Sequence, residues 1–253
     1  MWIIKYRDLI WNLTITDFKM KYQNSVLGFA WSLLNPLLMM LVLYIVFSSI
    51  FRFSQENFAL YILVGVITWR FLANGTAVTI SSIVGRPALV TKIYIPRQIL
   101  VLSSTLSCLI SSTLEFCVLI PLLVIFGIGI TPYILFFPLV QGIFFFIIYG
   151  ISLMLASLYV YYRDLTQIWD VLLQMGFFLS PICYPLSTVP QKYLPLYLLN
   201  PMAVLMEMFR NFLLYGIPPT LVGITYLLIV AAILMIAGTL VFNRLERRFA
   251  EEI

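Results

Sequence analysis

For about the first thirty positions, bulky apolar groups are interleaved with polar ones; after that the chain turns almost wholly apolar. Trp2, Ile3, Ile4, Tyr6, Leu9, Ile10, Leu13, Phe18 and Tyr22 stand among Lys, Arg, Asp and Asn. The pattern predicts an amphipathic helix over residues 1–31 lying in the inner membrane interface, basic side toward anionic headgroups. Apolar stretches come next, at about 33–52, 58–80, 99–126, 133–160, 171–184 and 221–242. Crossing about 30 Å of hydrocarbon takes roughly 20 apolar residues, and all but the fifth stretch are long enough. The fifth, about 14 residues at 1.5 Å each, reaches only ~21 Å. The residues after it must complete the crossing or fold back. The expected fold is therefore all-α: a single polytopic membrane domain over 1–253 with six transmembrane helices.

Between spans, punctuation is concentrated in two places. Residues 185–218 hold Pro185, Pro190, Pro195, Pro201 and Pro218 with apolar runs too short to span. Two short helices are expected there, either dipping back into the membrane or lying on its outer face. Non-helical backbone survives at membrane depth only where protein or a water-filled cavity surrounds it, so the first alternative points to a path through the membrane. Residues 81–98 contain Gly85-Arg86-Pro87-Ala88-Leu89-Val90-Thr91-Lys92-Ile93-Tyr94-Ile95-Pro96-Arg97. Here Pro87 and Pro96 bracket about two helical turns, in which Leu89, Val90, Ile93 and Tyr94 lie among basic residues. The segment suits a short helix gripping a cytoplasmic partner, or a plain interfacial loop. The sequence shows no internal repeat of the secondary-transporter kind.

Apolar residues make up 62% of the chain and the formal charge is +5. That charge follows the positive-inside rule rather than marking a nucleic-acid surface. With the N-terminus in the cytoplasm, Lys5, Arg7, Lys19, Lys21, Arg86, Lys92, Arg97, Arg163, Arg244, Arg247 and Arg248 fall inside, only Arg52, Lys192 and Arg210 fall outside, and Arg70 lies within a span. Both termini are thus expected in the cytoplasm, and no cleavable leader is expected, since residues 5–23 are polar and aromatic. Cys108, Cys117 and Cys183 sit in or beside apolar stretches and are expected as small buried hydrophobes rather than a disulfide framework.

The chain has no histidine, no phosphate-binding loop and no spacing that would hold a metal. Membrane transferases need a general base, a nucleophile or a metal site; here the carboxylates are scattered. Charges inside a bilayer are costly and hence suspect, and Arg70 and Glu115 stand out. Arg70 lies about 18 Å of helix from the outer start of the second span and Glu115 about 16 Å from the outer end of the third. Matched depth predicts an intramembrane pair, with contact to a substrate as the alternative. Met40, Tyr44, Phe47 and Phe51 follow i, i+4, i+7, i+11, and Phe177, Pro181 and Tyr184 form a second stripe. Such stripes suit helix packing, or a smooth wall on which sugar rings stack as a polymer slides past.

The run Phe18-Lys19-Met20-Lys21-Tyr22-Gln23-Asn24-Ser25-Val26-Leu27-Gly28-Phe29-Ala30-Trp31-Ser32-Leu33-Leu34-Asn35-Pro36 closely resembles the entry to the first span of ABC-2-type polysaccharide exporter permeases. Tyr162-Arg163-Asp164-Leu165, Ser180-Pro181-Ile182-Cys183-Tyr184-Pro185 and Leu199-Asn200-Pro201 with Arg210 are similar to later segments of that family. The resemblance covers the whole chain and is strongest to the O-antigen permeases, with capsule and teichoic-acid exporters beside them.

The resemblance implies a homodimer in the cell inner membrane, paired with two copies of a nucleotide-binding ATPase that holds ATP and Mg. This chain itself would carry no cofactor. The cargo would be an undecaprenyl-linked polysaccharide. Lys19, Lys21, Tyr22 and Trp31 would belong to a gate helix, and Arg86, Leu89, Lys92, Ile93, Tyr94 and Arg97 to an ATPase-coupling helix. The first and fifth spans would line the channel, with Met40, Tyr44, Phe47, Phe51, Phe177 and Tyr184 as candidate wall residues, and the 185–218 helices would close its outer end. An ABC-2 exporter of drugs or lipids fits the entry run and the proline-rich segment less well, and a membrane enzyme of glycan assembly is the remote alternative.

Overall fold

The computed structural model describes residues 2–23, 28, 30–50, 56–92 and 95–252, and every regular element among them is helical. In chain order these are α1 (Trp2–Lys5), α2 (Arg7–Tyr22), α3 (Ala30–Ile45) running on into a π turn at Val46–Ile50, α4 (Phe58–Ile80), α5 (Pro87–Lys92) and α6 (Gln98–Ile125). A 3-10 turn at Pro132–Phe136 leads into α7 (Phe137–Tyr161), followed by α8 (Leu165–Leu179), α9 (Leu194–Leu198) and α10 (Pro201–Arg210). A π turn at Asn211–Tyr215 extends α10, and α11 (Leu221–Leu245) and α12 (Phe249–Glu252) end the chain.

Five segments, Ala30–Ser49, Phe58–Ile80, Gln98–Ile125, Pro132–Tyr161 and Leu221–Arg248, are long and apolar enough to cross a membrane. The expected stretch at 171–184 needs correction. Its helix starts six residues earlier, at Leu165, and stops at Leu179, leaving residues 180–184 non-helical. The early turns escape a hydropathy reading because Thr166, Gln167 and Asp170 interrupt them. With 15 residues, α8 is still only ~22 Å long.

The bundle is built around α4. It carries apolar residues on every side, the pattern of a helix enclosed by others, and Leu60, Ile62, Val64, Ile67 and Phe71 are buried. α3, α6, α7, α8 and α10 all pack on it. Helices in lipid gain little from hydrophobic burial against one another, so close backbone approach and interhelical hydrogen bonds decide their pairing. The α7–α11 pair shows the first: a Cβ on Gly238 would lie 2.3 Å from the Gly150 carbonyl oxygen. The second recurs around α4, where Thr79 Oγ1 donates to Ser152 Oγ of α7 at 2.8 Å and Trp169 Nε1 of α8 donates to Thr76 Oγ1 at 2.8 Å.

α2 runs beside α6. Ser104 Oγ donates to Asp17 Oδ2 at 2.9 Å and the Tyr22 hydroxyl donates to Ser111 Oγ at 3.4 Å. From 17 to 22 is ~7.5 Å of helix and from 104 to 111 is ~10 Å, so the two helices travel side by side rather than crossing at a point. α10 begins where Asn200 caps Met202 N at 3.0 Å and Pro201 supplies the first turn. Met202, Leu205, Met206 and Phe209 bury it against the bundle. Gly216, at φ 62°, terminates the π turn after it in a left-handed conformation that favours glycine.

Candidate functional site

α8 has two faces. Trp169, Leu173, Gly176 and Phe177 turn toward α4. The Phe177 and Trp69 rings meet edge to face at 6.1 Å, and a Cβ on Gly176 would come within 2.7 Å of the Trp69 ring. An exposed flank roughly a quarter turn away from that side carries Gln167, Asp170 and Gln174 at i, i+3, i+7, with Phe178 one turn further. These positions fall within a narrow arc of the helix, flanked by exposed Ile168, Val171 and Met175. A polar track thus runs along an otherwise apolar surface.

α3 also packs on α4, and its exposed face is chiefly aliphatic: Leu34, Leu38, Leu41, Val42 and Ile45. Of the wall residues expected there, Met40 and Phe47 pack against the core. Tyr44 is half-exposed, its ring 6.2 Å from Phe58, and Phe51 lies outside the described residues. On the other stripe Phe177 faces inward, while the Tyr184 hydroxyl bonds the Tyr197 hydroxyl and donates to the Phe178 carbonyl at 3.1 Å. The exposed surfaces of α3 and α8 are therefore formed chiefly by aliphatic and amide side chains that sequence reasoning passes over. The i, i+3, i+7 spacing of Gln167, Asp170 and Gln174 is the available signal.

Arg70 and Glu115 come together. Nε and Nη2 each approach a Glu115 carboxylate oxygen at 3.4 Å, and Arg70 Nη1 donates to Asn35 Oδ1 at 2.9 Å. Glu115 is buried and Arg70 nearly so. The cluster joins α3, α4 and α6, and Lys21, Asn74, Cys108, Ser111 and Ser112 complete a cavity of about 10 Å³ beside it, room for one water.

Arg210, expected on the outer side within the 185–218 helices, is fully buried. Its Nη1 donates to the Tyr61 hydroxyl at 2.7 Å, Nε to the Tyr61 carbonyl at 3.3 Å and Nη2 to the Ile182 carbonyl at 3.0 Å, and the guanidinium lies 3.4 Å from the Tyr61 ring centroid. These bonds pin residues 180–184 and α10 to α4. Burial pushes the Arg210 pKa down from its usual value, opposed by Tyr61 and Glu207. Its signal is a lone cation in the apolar run from 202 to 215. The cysteine expectation also divides: Cys108 and Cys183 are buried, but Cys117 is exposed.

At the other end, α5 is held from both sides. Arg86, just before it, pairs with Asp17 of α2, whose second carboxylate oxygen accepts from Ser104. Arg97, just before α6, bonds the Glu246 carbonyl through its guanidinium and the Glu246 carboxylate through its backbone N–H at 3.3 Å. Both arginines, expected to face a partner, are engaged within the chain. Lys92 is exposed, Leu89 partly buried, and Ile93 and Tyr94 lie outside the described residues. A cavity of about 700 Å³ opens here, lined among others by Tyr6, Val90, Lys92, Arg97, Glu246 and Arg247. On α2, Lys19 and Lys21 are exposed and Tyr22 is tucked against α6; Trp31 at the start of α3 is exposed. No group of three His, Cys, Asp or Glu among the described residues is placed to hold a metal.

Comparison with known proteins adds to this geometry. The profile of the family described as ABC-2 type transporter matches residues 8–214. The O-antigen export system permease protein RfbA of Klebsiella pneumoniae is 29% identical over 252 residues, covering 96% of this chain and 94% of that one. The protein of the same name from Myxococcus xanthus is 30% identical over 257 residues, covering 99% and 97%.

Proposed function

The chain belongs to the ABC-2 type transporter family, and from that premise we propose that it is the permease half of an ATP-driven exporter of a lipid-linked, O-antigen-like polysaccharide. Two copies form the channel in the inner membrane and two copies of a separate ATPase drive it. α8 with residues 180–184 makes the sixth crossing, both termini lie in the cytoplasm, and α10 reaches back from the outer side to narrow the exit.

One observation carries this reading: the exposed track of Gln167, Asp170 and Gln174 on α8. A carboxylate and two amides facing acyl chains would go unsolvated, and ionisable groups within spans therefore face a bundle interior or water. α11 shows the contrast, its exposed Leu228, Ile229, Ile233, Ile236 and Leu240 being wholly apolar. The α8 face thus suits a wet passage, and amides beside aliphatic surface suit a hydroxyl-rich chain that slides without being held. α3 provides a second, smooth wall, α2 the gate at the cytoplasmic entrance, and α5 the contact with the ATPase. ATP and Mg belong to that partner. The names of the relatives point to the same class of cargo.

Depleting the protein tests the proposal. Finished lipid-linked polymer is expected to accumulate on the cytoplasmic face of the inner membrane. Shortened or missing polymer would instead indicate a role in assembly, and unchanged glycan with altered drug sensitivity a different cargo.

A further inference from the structure

We propose that Asp17 and Arg86 are positioning residues of the transport step, forming a clasp that passes displacement of α5 directly to α2. The inference rests on the transport reading above.

Arg86 moves as part of α5. It closes a tight turn after α4, with Gly85 N on the Ser81 carbonyl at 2.8 Å and Arg86 N on the Ile83 carbonyl at 3.2 Å. Its own carbonyl then accepts from Leu89 N at 3.1 Å and Val90 N at 3.3 Å, so it starts the helix that Pro87 opens. Its side chain does not point to a partner but reaches Asp17, 69 positions earlier on α2. Both carboxylate oxygens of Asp17 are used, one by Arg86 and one by Ser104. The pair is largely enclosed, the side chains being 19% and 10% exposed, so salt screens it weakly and neither charge is easily stranded.

Polar contacts to α6 also reach this end of α2. Ser104 and Ser111 meet it through hydroxyls, while Trp11, Lys19 and Met20 project away from the bundle. The far end of the α5 loop is tied differently: Arg97 is anchored to Glu246 after α11, and Gln98 Nε2 donates to Asn243 Oδ1 at 2.8 Å. A push on α5 therefore meets a fixed point at Arg97 and a transmitting one at Arg86. The chain's own ion pair joins the surface that receives force to the helix beside the entrance.

The test uses the full chain with its partner ATPase in lipid nanodiscs, and reads hydrogen exchange over residues 7–22 with and without ATP. In proteoliposomes it also reads glycan moved per ATP hydrolysed. Wild type is expected to show an ATP-dependent change in exchange over that segment. Asp17→Asn and Arg86→Gln should each lose it, and glycan per ATP should fall about fivefold or more while hydrolysis persists. Arg86→Lys, which keeps the charge, and the exchanged pair Asp17→Arg with Arg86→Asp should regain both readouts. Single variants that assemble normally and keep the exchange response and the glycan ratio would overturn the clasp. So would equal loss of hydrolysis and transport with no rescue by Arg86→Lys. An exchange response that behaves as expected in a complex moving no glycan supports the clasp and overturns the cargo.

Discussion

Three buried or half-buried arginines separate what residue identity reveals from what it hides. Arg70 is legible because it and Glu115 sit at matched depths on neighbouring spans, where an unpaired charge has no cheap alternative. Arg210 is not, because counting charges by loop assumes that any segment between spans is wet; only packing shows that three backbone and phenol oxygens replace water around it. Arg86 is legible as basic but not as paired, since its partner lies 69 positions away. The Arg70–Glu115 pair yields a direct prediction. Glu115→Gln and Arg70→Gln should each destabilise the protein by about 3 kcal/mol, because each leaves one charge stranded. The double variant, stranding none, should recover at least half of that. Thermal unfolding in detergent followed by size exclusion measures the cycle, and additive losses would mean that the two groups do not act as a pair.

At the scale of elements, legibility follows uniformity. α4 is readable to the residue at 58–80 because apolar residues dominate all its sides, Arg70 and Asn74 being isolated interruptions, and they do so because helices surround it. α8 is misplaced by six residues for the converse reason: one of its faces is polar, so a window averaging both faces sees its first two turns as loop. Contacts between elements are less legible still, since small residues announce a close approach without naming the partner. The approach of Gly150 and Gly238 shows what is at stake. A side chain on Gly238 meets backbone at 2.3 Å, and backbone cannot swing aside as a flexible side-chain tip does. Gly238→Val should therefore force α7 and α11 apart and lower stability by about 1–3 kcal/mol. Cutting abundance without altering the glycan ratio of the surviving complex would mark the effect as one of packing.

For the whole molecule, the decisive question is which exposed surfaces meet lipid and which, in the dimer proposed above, meet a second copy across water. The single chain leaves α3, α8 and α11 open, but they differ in chemistry: between 228 and 240 the exposed positions of α11 are all apolar, whereas α8 presents Gln167, Asp170 and Gln174. A two-fold axis that brings the α3 and α8 faces of two copies opposite one another would remove the polar track from lipid and give the aliphatic face of α3 a partner. α11 would remain outside. Cysteine accessibility distinguishes these environments, because a thiol reacts as its thiolate and hydrocarbon disfavours that form. In the assembled complex, Gln174→Cys should react with a membrane-impermeant thiol reagent and be protected while glycan occupies the passage, whereas Ile236→Cys on α11 should not react. Cys117 supplies a control already present in the chain: exposed, yet beside a pocket lined by Phe116, Ile120, Leu135 and Phe137, it should stay as unreactive as Ile236→Cys. Labelling at 236 and 117 with none at 174 would place α8 against lipid, and the passage would then have to be sought on another face of α4.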